Sequence, residues 1–343
     1  MTEMFNTKDI GAQRISPHIK SQEYEIGTNI TALCLTQKGC VVGLGDGRVM
    51  RIEGKNIDEL AIHDGAVTSV IKTSDSVISS GQDGMVFYAK DGAGGEKGEY
   101  RAADGNWVEV ATYHEAKELY AFAVGKTVTV KSKDSILGYF SDHSSTITGL
   151  AFSPNGDEIA VSHYDFVTIW SIEGNVKPRR LAWKGSLIQV SWSPNGRYIV
   201  ASTQDREIHI WDLISGKDYR FGGFKGKVKN IGWTDCSNYM ITSGTDVIAA
   251  WPITADPGTF PPKEIGYVYS ANVSCIACGK QFDRVAGGFS DGSILIGNIK
   301  NSEALVARNG TGAEITEMVW NHDQSELLFG TKDGVIGTIK FQS

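Results

Sequence analysis

Two short patterns in this chain have residue types that could hold a metal ion or a phosphate group. Cys275 and Cys278 have the spacing of zinc ligands, and the Gly-Lys-Thr sequence at 125–127 resembles the end of a phosphate-binding loop. The two cysteines lie within a predicted strand, where residues three apart point to opposite faces. The loop lacks its first glycine, because Tyr120 stands at that position. We therefore predict neither a metal site nor a cofactor site.

Histidine is the other residue type that could support acid–base or metal chemistry. The seven histidines are dispersed along the chain, at positions 18, 63, 114, 143, 163, 209 and 322. The sequence has no His-Glu-x-x-His motif, no Gly-x-Ser-x-Gly elbow and no recognisable pair of catalytic carboxylates. We therefore predict that the protein is not an enzyme.

The chain consists largely of a predicted three-strand unit that recurs about every 41 residues, and the cysteines and most of the histidines lie within these units. The first apolar residue of each unit is Ile30, Val67, Val108, Ile147, Leu187, Val228, Val273 or Ile315. In the clearest units, apolar residues alternate along the first two strands, and a turn that contains an aspartate precedes the third strand. A period of this length with several strands is typical of a β-propeller blade.

We predict an all-β protein in which residues 1–343 form a single β-propeller of four-stranded antiparallel blades. Eight blades match the eight units. Seven blades are the alternative, because the third unit, from Trp107 to Lys133, has Lys126 where the turn aspartate is expected. The last unit ends after its third strand, so we expect residues 18–28 to supply its outer strand and close the ring.

The fourth and fifth units match each other closely, and residues 210–213 read Ile-Trp-Asp-Leu. On these residues the chain resembles the WD-repeat β-propeller family over nearly its whole length. In that family a histidine before the first strand, a Ser or Thr on the second, the turn aspartate and a tryptophan on the third form a hydrogen-bonded network. The resemblance implies such networks at His143, Ser162, Asp165 and Trp170, at His63, Ser80 and Asp83, at Ser202, Asp205 and Trp211, and at Ser243, Asp246 and Trp251.

Charge is distributed unevenly along the chain. The net charge is −7, yet residues 175–230 contain 11 Lys and Arg against 4 Asp and Glu. Aromatic residues lie among these cations, so we predict a partner-binding sector that includes Trp183, Lys184, Phe224, Lys225, Lys227 and Lys229. The alternation of the last three lysines predicts that they share one face. This sector could hold an acidic peptide or, as a less favoured alternative, a nucleic-acid backbone.

The resemblance implies a non-catalytic scaffold that presents its surfaces to protein or peptide partners. An enzyme with a site at the propeller channel is the least favoured alternative. We expect partner contacts at Gln82, Tyr164, Gln204, Thr245 and Lys332, in the turns between second and third strands, and at Phe260 in the proline-containing loop 256–262. The N-terminal residues have no secretory signal pattern, no run of 18 apolar residues occurs, and the five cysteines are scattered. We therefore expect a cytoplasmic protein that does not associate with membranes.

Overall fold

The computed structural model describes residues 19–90, 97–102, 106–133, 135–173, 176–254, 256–279 and 283–341. It contains eight four-stranded antiparallel sheets, which are the blades of a β-propeller. The inner strand of each blade contacts the inner strand of the next, and the inner strand of blade 8 contacts that of blade 1. The prediction of an all-β propeller with eight blades is confirmed, and the third unit forms a complete blade.

The first strand, β1 (Ile19–Glu25), belongs to the last blade, and the other strands follow in chain order from the inside of each blade to the outside. Blade 1 has β2 (Ile30–Leu35), β3 (Cys40–Leu44), β4 (Arg48–Glu53) and β5 (Asn56–Ile62). Blade 2 has β6 (Val67–Lys72), β7 (Ser76–Gly81), β8 (Met85–Lys90) and β9 (Lys97–Arg101). Blade 3 has β10 (Val110–His114), β11 (Leu119–Val124), β12 (Thr127–Lys131) and β13 (Ile136–Phe140), with a 3₁₀ turn at Glu115–Lys117.

Blade 4 has β14 (Gly149–Phe152), β15 (Glu158–His163), β16 (Phe166–Ser171) and β17 (Arg179–Ala182). Blade 5 has β18 (Leu187–Trp192), β19 (Tyr198–Thr203), β20 (Ile208–Asp212) and β21 (Asp218–Phe221). Blade 6 has β22 (Ile231–Trp233), β23 (Tyr239–Thr242), β24 (Val247–Pro252) and β25 (Lys263–Tyr267). Blade 7 has β26 (Val273–Cys278), β27 (Arg284–Phe289), β28 (Ile294–Asn298) and β29 (Ala304–Arg308), and blade 8 has β30 (Ile315–Trp320), β31 (Glu326–Thr331) and β32 (Val335–Phe341).

The ring is closed by β1, as predicted. This strand pairs antiparallel with β32, from Ile19 opposite Phe341 to Glu25 opposite Val335. A side-chain contact adds to the backbone ladder, because the Arg308 guanidinium on β29 donates to the two carboxylate oxygens of Glu23 at 2.8 and 3.1 Å. Arg308 is buried, so this bidentate pair fastens the closing strand to blade 7.

The hydrophobic core lies between blades. The second strands are the most buried elements, and β19 is buried at every position, whereas the outer strand β17 is mostly exposed. Alternating side chains on each blade pack against the preceding and the following blade. Each blade therefore depends on its neighbours for burial, which is the usual energetics of a repeat fold.

Three inner strands begin later than the repeat pattern predicts, at Val110, Gly149 and Ile231. The residues predicted as their first positions, Val108, Ile147 and Val228, are nevertheless buried. The backbone N–H of Ile147 donates to Gly125 O of the preceding blade at 2.8 Å, and Val108 makes the equivalent bond to Gly81 O. Ile147 and Val108 therefore fasten neighbouring blades together before the inner strand starts. Within the described residues, the structure has no helix long and apolar enough to cross a membrane.

Candidate interaction surface

One end of the ring carries the turns between the second and third strands of the blades, and we call it the turn face. The connections from the outer strand of one blade to the inner strand of the next lie at the same end. In blade 2, for example, Gln82 N in the turn donates to Ala66 O in the connection at 3.0 Å. Each blade thus contributes two short segments to the turn face, and backbone hydrogen bonds hold them together.

The turn residues predicted to contact partners differ in accessibility. Tyr164, Gln204 and Lys332 are exposed, whereas Gln82 and Thr245 are half-buried. Gln82 Oε1 accepts a hydrogen bond from a backbone N–H at 3.1 Å, and Thr245 Oγ1 donates to a backbone carbonyl at 2.6 Å. Two of the five side chains are therefore engaged in shaping their own turns.

Phe260 lies at the opposite end of the ring, in the connection between the third and fourth strands of blade 6, and its side chain is 55% exposed. It is therefore remote from the turn residues that were predicted with it. A partner on the turn face and a partner at Phe260 would occupy different ends of the ring.

In blade 2 the histidine network forms with a different serine from the predicted one. His63 Nδ1 lies 2.9 Å from Asp83 Oδ1, and His63 Nε2 lies 3.0 Å from Ser79 Oγ. Ser80 instead makes a 2.6 Å hydrogen bond with Ser69 on the inner strand. Neighbouring residues of a strand point to opposite faces, so Ser79 and Ser80 cannot both face the histidine. The prediction of Ser80 was wrong by one position.

Blade 4 brings together only half of its predicted network. Trp170 Nε1–H donates to His143 Nε2 at 3.0 Å, and the other ring nitrogen, Nδ1, lies 2.7 Å from Lys126 O. Because Nε2 accepts, Nδ1 carries the proton and donates to that carbonyl. Ser162 is directed away from this contact, toward Thr148 just before the inner strand, at 3.0 Å. The predicted contact of His143 with Ser162 is therefore corrected.

Asp165 is also separated from His143, because the turn of blade 4 is short. His163 pairs directly with Phe166, which leaves two residues in the turn, and Asp165 itself has φ 68°. In blade 2 the positive φ of 73° falls on Gly84, after the aspartate. Asp165 Oδ1 accepts from Gly185 N at 2.7 Å and so fastens the turn to the connection that follows.

Aromatic packing replaces the predicted networks of blades 5 and 6. Trp251 Nε1 donates to Thr242 Oγ1 at 3.0 Å, whereas the predicted Ser243 accepts from backbone N–H groups and Asp246 pairs with Lys225. The reason is again strand alternation, which places Thr242 rather than Ser243 on the tryptophan side.

In blade 5, Trp211 packs edge to face with His209 at 4.4 Å. Ser202 Oγ is buried with no hydrogen-bond partner in the described part of the chain, and Asp205 is exposed in its turn. The network predicted for Ser202, Asp205 and Trp211 is therefore not formed.

The two aromatic residues predicted to bind a partner within the basic sector pack against their own blades. Phe224 is 6% exposed and its ring lies 5.6 Å from that of Trp251. Trp183 is half-buried and stacks on His209 at 4.1 Å. Both stand where other blades have the network histidine, and they fill that space with apolar contacts. Phe224 is therefore too buried to offer its ring to a partner, and its assignment is corrected to a structural role. Partner contact by the exposed part of Trp183 stays a prediction.

Most cations of the predicted basic sector lie in ion pairs. The pairs are Arg179 with Glu158, Arg180 with Asp142, Arg197 with Asp212, Lys217 with Asp256, Arg220 with Glu207, Lys225 with Asp246 and Lys229 with Glu314. Residues 222–230 form no strand, so no strand face carries Lys225, Lys227 and Lys229. All three are nevertheless exposed, and Val228 between the last two is buried. Several carboxylates come from outside residues 175–230, so the three-dimensional fold neutralises much of the charge that the sequence concentrates.

Four exposed side chains, two aromatic and two lysine, lie on the turn face of blades 3 to 5. They are Trp107, Lys126, Tyr164 and Lys184, and we call this part of the turn face the aromatic–lysine patch. Trp107 is 54% and Tyr164 49% exposed. Both lysines are exposed, and neither has an ion pair within the described residues. The patch therefore combines exposed aromatic area with two lysines that form no ion pair in the described part of the chain.

Hydrogen bonds connect the turns that carry this patch. Lys126 Nζ donates to Ser144 O at 3.0 Å, and Ser144 Oγ donates to Tyr164 O at the same distance. Tyr164 N in turn donates to Ser145 Oγ at 2.8 Å. Lys184 precedes Gly185 in the sequence, and the N–H of Gly185 donates to Asp165, which lies in the same turn as Tyr164. Hydrogen bonds therefore join the segments that carry Lys126, Tyr164 and Lys184.

The sequence did not identify Trp107 and Lys126 as candidates. A signal was available, because Trp107 precedes the first buried residue of its unit, where most other units have small or polar residues. Strand alternation does not require an aromatic residue there. Lys126 was noted only as a departure from the turn aspartate, and its exposure depends on the turn that carries it.

The strongly perturbed ionisable groups of the inner strands are held in their neutral forms. Burial raises the pKa of the Cys278 thiol to about 12 and raises that of Cys275 well above its usual value. Burial also raises the pKa of Glu317 on β30 to about 8. A neutral thiol is a poor nucleophile and a poor metal ligand. Cys275 and Cys278 also pack into different core clusters, so they do not converge on one site.

Comparison with known proteins identifies the repeat. The family model of the WD domain, G-beta repeat, matches residues 134–171 and 180–212. A eukaryotic translation initiation factor 3 subunit I from Pyricularia oryzae is 21% identical over 206 residues, which are 56% of this chain and 60% of that protein. The pre-mRNA-splicing factor cwf17 of Schizosaccharomyces pombe is 25% identical over 166 residues, 47% of each chain. The matched region thus spans less than two thirds of each relative.

Two solved structures share the fold over almost the whole chain. The computationally designed Ika8 protein superposes with a TM-score of 0.72 at 21% identity, covering 92% of this chain and 97% of that one. Sqt1 of Chaetomium thermophilum, solved bound to the N-terminus of the ribosomal protein L10, superposes with a TM-score of 0.76 at 14% identity and the same coverage. At these identities the likeness concerns the fold.

Proposed function

Because this chain is a WD-repeat β-propeller, we propose that it is a rigid, non-catalytic platform that holds a protein or peptide partner on its turn face. Such propellers generally bind proteins or peptides. The observation that carries the proposal is the aromatic–lysine patch, in which Trp107 and Tyr164 are about half exposed and hydrogen bonds hold the Tyr164 turn. Exposed aromatic side chains on a fixed backbone are the usual energetic centres of protein interfaces, because little conformational entropy is lost when they are covered.

The charge of the patch favours an acidic partner. Lys126 and Lys184 are exposed on the same turn face as the aromatic rings. Of the carboxylates on neighbouring segments, Asp142 binds Arg180 at 2.7 Å and Asp165 accepts from a backbone N–H, whereas Asp205, which lies near Gly185, is exposed. A carboxylate of a partner would therefore find lysines that need not leave another ion pair. Such charge complementarity mainly increases the association rate and the specificity.

The relatives agree with a role in assemblies. Their names describe a translation initiation factor subunit and a splicing factor, and the Sqt1 structure contains the N-terminus of another protein. The nucleic-acid alternative has less support, because seven of the 11 cations of residues 175–230 are already paired with carboxylates. A protein that binds a phosphate backbone strongly needs cations that are free to replace the released counterions.

The test is affinity purification of the protein from its own host, followed by mass spectrometry. The wild type is compared with the double variant Trp107→Ser and Tyr164→Ser, and with the matched control Ile214→Ser. Ile214 is 77% exposed and lies in a third-to-fourth-strand connection at the other end of the ring. We expect the double variant to lose at least about tenfold of a defined partner protein, and the control to retain it.

Two results would contradict the proposal. Equal recovery of all partners by the wild type and the double variant would exclude the patch as the contact surface. Recovery of nucleic acid alone, with a yield that falls steeply as the salt concentration rises, would replace the scaffold by the nucleic-acid alternative.

A further inference from the structure

Neighbouring blades are joined by a recurring side-chain pair at their outer edge. One member comes from the outer strand of the first blade, and the other from the third strand of the next. Between blades 3 and 4, Phe140 stacks on Trp170 with ring centroids 4.8 Å apart. Between blades 5 and 6, Phe221 stacks on Trp251 at 5.0 Å and 11°. We call each interface between blades a seam.

Strand register identifies the same two positions in all eight seams. The outer-strand member is opposite the apolar residue near the start of its own third strand, as Phe140 is opposite Val128. The third-strand member lies three residues after the position equivalent to Val128, as Trp170 does after Val167. In order from the seam of blades 1 and 2, the pairs are Ala61 and Ala89, Tyr100 and Lys131, Phe140 and Trp170, Leu181 and Trp211, Phe221 and Trp251, Ile265 and Gly297, Arg308 and Ile339, and Tyr24 and Ile52.

The seam between blades 1 and 2 is the one in which both members are small. Each of the other seams has at least one large member, including the seam of blades 6 and 7, where Ile265 is paired with Gly297. A Cβ atom on Gly297 would lie 2.2 Å from Ile265 Cγ2, so the isoleucine already fills that space. The Lys131 ammonium lies 4.1 Å from the centroid of the Tyr100 ring. Between blades 1 and 2, Ala61 and Ala89 leave the corresponding space without a filling side chain.

A cleft of about 360 Å³ is present at this seam. Leu60 and Ala61 on β5 form one wall, and Val77, Phe87 and Ala89 on blade 2 form the other. Its size lies within the range of small-ligand sites, which begins near 300 Å³. The walls are mainly apolar and belong to strands, so the shape is preformed by the two sheets. We call this space the seam cleft.

The seam cleft also contains a hydroxyl group, that of Ser79, at the position where the indole N–H of a tryptophan would need a hydrogen-bond acceptor. In blade 6 the indole N–H of Trp251 donates to Thr242 Oγ1 at 3.0 Å. The equivalent residue in blade 2 is Ser79, which lines the cleft. Ser79 Oγ is 3.0 Å from His63 Nε2, but a hydroxyl has two lone pairs and can serve a second donor. The cleft therefore retains both the space and the acceptor of a tryptophan site.

We propose that the seam cleft binds an aromatic side chain, most favourably the indole of a tryptophan, presented by a partner polypeptide. In three other seams of the same molecule an indole fills this position, that of Trp170, Trp211 or Trp251. The partner's being a polypeptide rests on the proposed function, whereas the preference of the cleft for an indole does not. Lys97 and Glu99 border the cleft with opposite charges, so we expect no strong charge preference around the anchoring residue.

The experiment uses N-acetyl-L-tryptophanamide as the probe and saturation-transfer difference NMR with the full chain. N-acetyl-L-alaninamide is the control probe. Ala89→Trp fills the cleft from blade 2, and Leu60→Trp fills it from blade 1, so that at least one filled variant can be tested if the other fails to fold. Lys38→Trp is the control variant, because it adds an exposed tryptophan in a turn between first and second strands.

We expect saturable binding of the tryptophan probe in the millimolar range to the wild type and to Lys38→Trp, since a small ligand offers limited contact area. Each folded filled variant should bind at least tenfold more weakly, and the alanine probe should give no saturable signal. An absence of saturable binding to the wild type, or undiminished binding to a folded filled variant, would overturn the inference. Neither result would bear on the aromatic–lysine patch, which the co-purification experiment tests separately.

Discussion

Blade 2 and blade 4 share a histidine, a serine and a turn aspartate at equivalent sequence positions, yet they use them differently. In blade 2, His63 contacts the aspartate at 2.9 Å, whereas in blade 4, His143 binds Trp170 and a backbone carbonyl. Two local differences explain this. Blade 2 has a glycine after its aspartate and an alanine at the tryptophan position, while blade 4 has neither. The residues around a motif, and not the motif alone, decide which hydrogen bonds it forms.

The substitution with the largest expected effect on stability is Trp170→Ala in blade 4. The substitution removes the stacking on Phe140 and the hydrogen bond to His143, and it leaves a cavity at the seam. We expect the free energy of unfolding to fall by about 3 kcal/mol, measured by chemical denaturation. Tyr164→Ala, an exposed aromatic in the same blade, should change it by about 0.5 kcal/mol or less. A loss of the same small size in both variants would show that the tryptophan does not hold the seam.

A second test uses pH, because blade 4 buries two histidines in contact. Burial, with a smaller effect of neighbouring His143, lowers the pKa of His163 to about 4, while Asp142 and Arg180 nearby act in opposite directions. Between pH 6.5 and 4 the unfolded chain binds a proton that folded His163 does not, so stability falls as the pH falls. At pH 4 the loss should reach about 3 kcal/mol.

The measurement is the free energy of unfolding of the wild type and of His163→Gln at several pH values from 7 to 4. The variant cannot bind the extra proton when unfolded, so its stability should decline less steeply over this range. The exposed His322→Gln serves as the control and should follow the wild type. Parallel pH profiles for the wild type and His163→Gln would contradict a neutral, buried His163.

The smallest expected effects on stability come from substitutions of the two turn aspartates, Asp83 in blade 2 and Asp165 in blade 4. Although burial opposes it, hydrogen bonds from His63, Met85 N and Asp64 N lower the pKa of Asp83, so its carboxylate is bound as an anion. Asp83→Ala leaves these donors without their acceptor and should cost about 2 kcal/mol. Asp165→Ala loses one acceptor, for Gly185 N, and should cost about 1 kcal/mol. Denaturant midpoints in the reverse order would refute the different roles assigned to the two turns.

The repeat period of the sequence was sufficient to predict the eight blades and the closing strand. Alternation and turn residues report local geometry, and a repeated local unit has few ways to form a ring. The candidate site was predicted less well. Tyr164 is exposed as expected, but Phe224 is buried and Lys225 and Lys229 lie in ion pairs. The sequence cannot show which carboxylate from a distant blade meets a given lysine.

The sequence by itself determined the architecture, because each blade is encoded within about 40 residues by hydrophobic alternation and turns. Only the tertiary structure decided which side chains meet across the seams and which remain exposed on the turn face. The seam cleft is the clearest case. Ala61 and Ala89 are unremarkable in the sequence and lie on different blades, and they become an opening only when the strands are brought face to face. Contacts between blades depend on the packed volume of both partners, which no single repeat contains.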